Sequence, residues 1–143
     1  GRYAEERRNK RGLGKPETFD FLGFTHYCGK SKNNKFRVKR KTSRKKLKQK
    51  IQEFKNWIKN NRNRPLKEIM SIYKKKLTGH FNYYGISDNV KGCDRYLNKT
   101  IVIMFKWLNR RSQRRSYNWK QFNQMISGYN LPTPNLKVSI FEI

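Results

Sequence analysis

Apolar residues recur at helical intervals along most of the chain. Leu47, Ile51, Phe54 and Ile58 fall at steps of four, three and four, one stripe of an amphipathic helix that Thr42 or Ser43 caps and that ends near Asn61. Pro65 suits the first turn of a second helix, in which Leu66, Ile69, Met70, Tyr73, Leu77 and Tyr84 keep the spacing as far as Gly85. Gly79 lies inside it, where glycine costs about 1 kcal/mol relative to alanine, so close approach of another backbone is expected there. Ser87 or Asp88 caps a third helix, whose stripe is Leu97, Ile101, Met104, Phe105 and Leu108. After Tyr117 a short helix carries Trp119, Phe122 and Ile126 and stops at Gly128; Pro132 and Pro134 predict extended chain beyond it.

Before Thr42 the pattern is different. Residues 1–18 are a basic, glycine-containing connector without an apolar stripe, and residues 19–28, Phe-Asp-Phe-Leu-Gly-Phe-Thr-His-Tyr-Cys, have the aromatic and β-branched content of a strand. Gly-Lys-Ser-Lys-Asn-Asn reads as a turn, and Lys35 to Lys41 then alternates, with Phe36 and Val38 on one face of a half-buried strand and Arg37, Lys39 and Lys41 turned away. The expected fold is mostly α with a small N-terminal β-hairpin (α+β): a basic bundle of three longer helices and one short one, the hairpin presenting a cationic outer face. No internal repeat is visible.

Charge narrows the function more than length does. The chain has 143 residues, with 36 Lys and Arg against nine Asp and Glu, a formal charge of +27. Self-repulsion on that scale opposes compaction unless a polyanion neutralises it, so nucleic acid is the natural partner. A disordered basic tail would lack aromatics, whereas this chain carries nine Phe, eight Tyr and three Trp. No run of about 18 apolar residues and no apolar leader core is present, which points to a soluble, intracellular, cytoplasmic protein with no membrane partner. Cys28 and Cys93 with His26 and His80 would make four zinc ligands, but their spacing matches no zinc pattern; two reduced structural thiols and no metal are expected.

Catalytic chemistry is not visible, and no catalytic residue is assigned. Metal-assisted nucleotidyl transfer and most hydrolysis need convergent carboxylates, and here the acids are dispersed. Asp88 and Asp94 sit at a helix start, where capping and dipole compensation account for them. No Gly-Lys-Ser or Gly-Lys-Thr phosphate loop exists. Binding signals are stronger. Lys45, Lys46, Lys48, Lys50, Lys55 and Lys59 line the first helix with Glu53 as its lone acid, and a solvated face normally mixes signs. In Trp-Leu-Asn-Arg-Arg-Ser-Gln-Arg-Arg-Ser-Tyr-Asn-Trp, residues 107–119, helical spacing pairs Arg110 with Arg114 and Arg111 with Arg115, a two-by-two guanidinium patch suited to phosphate oxygens. Trp107 and Trp119 flank it either as core residues or as stacking surfaces.

Three motifs resemble one family. Phe21-Leu22-Gly23-Phe24 resembles the last strand motif of the reverse transcriptase palm in group II intron-encoded proteins; Gly79-His80-Phe81-Asn82-Tyr83-Tyr84-Gly85 resembles the Gly-aromatic-Tyr-Tyr signature of their maturase domain; Trp107-Leu108-Asn109-Arg110-Arg111 resembles that domain's closing helix. The resemblance spans essentially the whole chain. It implies that residues 1–41 end a palm and residues 42–143 form the thumb, or maturase X domain, of an RNA-directed DNA polymerase. The Tyr-Ala-Asp-Asp carboxylates and their Mg2+ would lie in a missing upstream polymerase domain, so this stretch alone would be inactive and hold no cofactor. Implied partners are group II intron RNA and an RNA template with its DNA primer, in support of splicing and retrohoming. Leu22, Gly23 and Phe24 fall at the primer grip. Arg37, Lys39, Arg40, Lys45, Lys46, Lys48, Lys55, His80, Arg110, Arg111, Arg114 and Arg115 are the expected nucleic-acid-binding residues. Where the family often has Arg before the maturase Gly, this chain has Thr78. With Ile143 as the natural end, the expectation is that the DNA-binding and endonuclease modules of some relatives are absent.

Two other classes compete. A stand-alone RNA chaperone or ribosomal-type protein would bind structured RNA with the same surfaces. A sequence-specific DNA-reading helix would need a row of Asn, Gln or Arg aimed at base edges, and Gln113, Asn118 and Gln121 are too few and too scattered.

Overall fold

The computed structural model describes residues 18–30, 36–110 and 117–134. Strands β1 (Phe19–Phe21), β2 (Phe24–Lys30) and β3 (Phe36–Thr42) precede helices α1 (Arg44–Asn61), α2 (Leu66–Tyr84), α3 (Val90–Leu108) and α4 (Trp119–Ser127), with one 3-10 turn over Ser87–Asn89. The fold is mostly α with a small N-terminal antiparallel sheet.

The sheet has three strands in the order β1-β2-β3, because the continuous strand expected over 19–28 folds back at Leu22-Gly23. Phe21 faces Phe24 across that two-residue turn, and both turn residues have positive φ, 51° at Leu22 and 83° at Gly23. Positive φ at both positions is the mirror-image turn that matches the twist of the flanking strands. It is usually built from Asn-Gly, so Leu hides it in the sequence.

The faces of β3 are the reverse of the expectation. Val38 is 52% exposed, while Arg37 turns inward and holds the carboxylate of Asp88 through both terminal nitrogens. Alternation separates two faces but does not say which one meets the core; here a buried ion pair decides it. Neighbouring Asn89 is almost wholly buried and fully used. Its carbonyl accepts from the Thr42 main-chain N–H at 2.8 Å, and its amide donates to Thr42 Oγ1 at 2.6 Å and to the Tyr84 carbonyl at 3.0 Å. One side chain thus joins the end of β3, the end of α2 and the start of α3. Gly92 leaves room for it, since a Cβ there would strike Asn89 Oδ1.

Ser43 caps α1, its hydroxyl accepting from Lys46 N at 3.1 Å while its own N–H donates to the Gly23 carbonyl at 2.8 Å. The cap therefore also fixes the β1–β2 turn against the helix. The core gathers Phe54 and Ile58 of α1, Ile69, Met70, Tyr73 and Leu77 of α2, and Cys93, Tyr96, Met104 and Leu108 of α3. The buried face of α3 is rotated from the predicted stripe: Leu97, Ile101 and Phe105 flank it, and its middle is Thr100. Thr100 Oγ1 donates to the Leu97 carbonyl at 3.0 Å, so the 2.7 Å bond to Tyr73 is donated by the phenol. Phe122 of α4 is buried, and Asn118 and Gln121 form a reciprocal capping box at its start. No helix among the described residues is long and apolar enough to cross a membrane.

Candidate nucleic-acid interface

The Leu22-Gly23 turn overhangs a groove of about 650 Å³ between the sheet, α1 and α2. Its floor is aromatic, from Phe54, His80, Tyr84 and Tyr96. The His80 ring lies flat on Tyr96, with centroids 3.7 Å apart and planes 5° from parallel, and the Tyr84 ring, tilted by 31°, stands with its centroid 4.6 Å away. The rim is cationic, from Lys46 and Lys50 on α1 and Lys75 and Lys76 on α2. Glu53 is the only acid lining the groove, and it sits 3.6 Å from Lys50, leaving Lys46, Lys75 and Lys76 without a carboxylate among the described residues. The lip is Leu22, 67% exposed, and Tyr83, whose hydroxyl donates to the Leu22 carbonyl at 2.7 Å.

Two glycines shape this groove for different reasons. At Gly23 a Cβ would lie 2.6 Å from Tyr84 Oη and 3.2 Å from Lys46 Cγ, and φ of 83° disfavours any side chain. Gly79 has nothing within 4 Å of a would-be Cβ, so no other backbone approaches it, contrary to the sequence expectation. Its absent side chain leaves the wall of the groove open.

The structure separates the residues expected to bind nucleic acid. Leu22, Gly23 and Lys46 meet at the first groove, and Phe24 is buried beneath it against Tyr83 and Tyr84. Lys45 and Lys48 face a second groove of about 670 Å³, lined also by Lys41, Arg44 and Arg95, with Asp20 its one acid among the described residues. Lys55 is half-buried further along α1. Arg37 is engaged by Asp88, Arg40 lies 5.6 Å over the Phe24 ring, and the Lys39 stem covers Gly29. Arg111, Arg114 and Arg115 lie outside the described residues; Arg110 is exposed and stands 5.0 Å from the Trp107 ring.

His80 offers no charge near neutrality. It is 7% exposed, and burial, helped by the positive field of Lys50, lowers its pKa from 6.5 to about 4. It is a neutral ring in the floor. The tryptophans divide: Trp107 is 8% exposed, whereas Trp119 is 45% exposed and stacks on Phe105 at 3.9 Å. Sequence reasoning missed Lys75, Lys76, Tyr96 and Asn89. The two lysines follow Tyr73 in a helix read for its apolar stripe, and their relation to Lys46 is visible only once α2 lies beside α1.

His26 and Cys28 on β2, His80 on α2 and Cys93 on α3 do not gather; among the described residues no three His, Cys, Asp or Glu side chains form a metal-binding group. Burial, with Asp94 nearby, pushes the Cys93 thiol up to about 11. It packs as a small apolar side chain. No protein-family model matches the chain, and neither the curated proteins nor the solved structures compared with it give a match.

Proposed function

We propose that this chain is the nucleic-acid-binding thumb and maturase region of a group II intron reverse transcriptase, which grips template and primer and binds intron RNA in support of splicing and retrohoming. The observation that carries the reading is the groove itself: Lys46, Lys75 and Lys76, without a carboxylate partner among the described residues, above an aromatic floor closed on one side by a glycine turn. Phosphates fit the rim, where each neutralised charge releases counterions. Ribose and base faces fit the lip of Leu22 and Tyr83. Gly23 has no side chain to hold a nucleic-acid backbone away from the turn. The polymerase carboxylates and their Mg2+ belong, on this reading, to another part of the parent protein, and this region contributes position rather than chemistry.

The test is binding of the chain to an RNA template annealed to a DNA primer and to a folded group II intron RNA, in wild type and in K46Q/K75Q/K76Q. The expected result is weaker binding of both ligands by the variant, with the salt dependence flattened by about 2 in the log-log slope for three lost contacts. Unchanged affinity and slope in the folded variant would remove the groove from the interface.

A further inference from the structure

Helices α1 and α3 run side by side in the same direction: Arg95 shares the second groove with Arg44 and Lys48 near their starts, and Trp107 meets Lys59 and Arg62 near their ends. On α1, Arg44, Lys48, Lys55, Lys59 and Arg62 fall within about 60° of one another around the helix axis at 100° per residue. On α3, Arg95, Lys99, Lys106 and Arg110 fall within a similar sector. The two rows meet at both ends of the seam. At the first end, the second groove gathers Arg44, Lys48 and Arg95. At the far end, four cations surround one indole: Lys59, Arg62, Lys106 and Arg110 stand 5.9, 5.3, 5.6 and 5.0 Å from the Trp107 ring centre.

Among the described residues no carboxylate pairs with any of these nine side chains, and Arg62 Nε and Trp107 Nε1 are buried without a hydrogen-bond partner. Cation–π attraction holds each charge to the ring, but the four charges repel one another. An arrangement of this kind is completed by an anion.

We propose that the α1–α3 seam is a second nucleic-acid contact, separate from the groove under Leu22-Gly23, and that its ligand is the phosphate backbone of a double-helical RNA. The proposal deepens the nucleic-acid reading above and rests on it. From Arg44 to Arg62 the row extends about 27 Å, long enough to follow a duplex backbone past several successive phosphates. A single strand would need exposed rings for its bases, and along these two rows the one large aromatic, Trp107, is buried beneath its cations. The seam therefore reads phosphates and their spacing, not bases.

The experiment uses the full 143-residue chain and a labelled 16-base-pair RNA duplex of arbitrary sequence, with anisotropy followed across potassium chloride concentration. In K48Q/R62Q/R95Q/K106Q the log-log slope should fall by about 3, and affinity at 0.1 M salt by on the order of a thousandfold. The melting temperature should hold or rise, since like charges are removed. A charge-keeping variant, K48R/R62K/R95K/K106R, should keep the wild-type slope. A 16-nucleotide single strand of unpaired sequence should show a smaller loss than the duplex. A slope unchanged in the glutamine variant would overturn the proposal, as would a lowered melting temperature with unchanged affinity, which would make the cations a cover for Trp107 alone. The groove variant K46Q/K75Q/K76Q separates the two readings: loss there with an intact seam effect leaves both standing, loss only in the seam variant removes the groove, and loss only in the groove variant removes the seam.

Discussion

The phenolic hydroxyl of Tyr83 donates to the main-chain carbonyl of Leu22, 61 residues earlier, at 2.7 Å. This bond ties the exposed β1–β2 turn to the last turn of α2, so that the lip of the groove moves with the helix that supplies half its lysines. The turn it secures is conformationally costly. Leu22 has φ of 51°, a region where an unbranched or branched side chain alike is disfavoured by about 1 kcal/mol or more.

Leu22→Asn should therefore stabilise the fold. Asparagine tolerates the left-handed region and, with Gly23, restores the favoured pair for this turn, for a gain of about 1 kcal/mol in a urea titration. The same change removes the exposed apolar side chain from the lip, and binding of template–primer should weaken. Stability and affinity moving in opposite directions is the expected signature of strain kept for contact. If both rise together, the leucine has no part in the interface.

Gly23→Ala should cost about 2 to 3 kcal/mol, from positive φ and from the 2.6 Å approach of its Cβ to Tyr84 Oη. Tyr84→Phe removes that oxygen. In the double variant part of the loss should return, because the next neighbours are Lys46 Cγ at 3.2 Å and Tyr84 Cε1 at 3.5 Å, and only the backbone strain remains in full. Additive losses in a double-mutant cycle would show that the clash is relieved some other way.

Arg37 marks the difference between a basic residue that builds the fold and one free to bind. Arg37→Met leaves Asp88, whose side chain is 6% exposed, as a buried charge without its guanidinium, and should cost about 3 kcal/mol. Its effect on the salt slope of RNA binding should be small, since the charge is already neutralised in the fold. R37M combined with D88N should recover much of the stability.

The helices were legible in the sequence because each carries apolar residues at steps of three and four, and the predicted ends agree with Ser43, Gly85 and Gly128. What escaped has identifiable causes. The β1–β2 turn was hidden by leucine at a position where asparagine is the usual signal. The inner face of α3 was misplaced because its middle is Thr100, made acceptable in the core by the Tyr73 phenol 27 residues away. The facing of β3 depends on an ion pair across 51 residues, beyond the reach of any local pattern. In the candidate site, the basic residues were visible as types, but their division between the groove, the Asp88 pair and the α1–α3 seam follows from tertiary packing.

Asn89→Ala tests the junction that holds those elements together. It strands the Thr42 N–H in a buried site and removes the bonds to Thr42 Oγ1 and to the Tyr84 carbonyl, which keeps the Ile86 N–H at 2.9 Å, with a loss of about 2 kcal/mol expected. Hydrogen exchange should accelerate first at Thr42 and at the start of α3, ahead of the centre of α1.

His80 is neutral in the folded protein until about pH 4 but takes a proton near 6.5 when the chain unfolds, so between those values the unfolded state binds more protons. Stability contributed by the neutral, stacked ring is full above pH 6.5 and declines as pH falls toward 4, by up to about 3 kcal/mol over the window. His80→Phe keeps a flat ring against Tyr96 and cannot titrate. Denaturation midpoints of the two proteins should run parallel above pH 7 and separate below 6.5, with wild type losing more stability; the carboxylates, common to both, cancel in the difference. Parallel curves down to pH 4 would mean that His80 is protonated in place. In that case the floor of the groove carries a charge in mild acid, and RNA binding by the wild type, but not by H80F, should strengthen over the same interval.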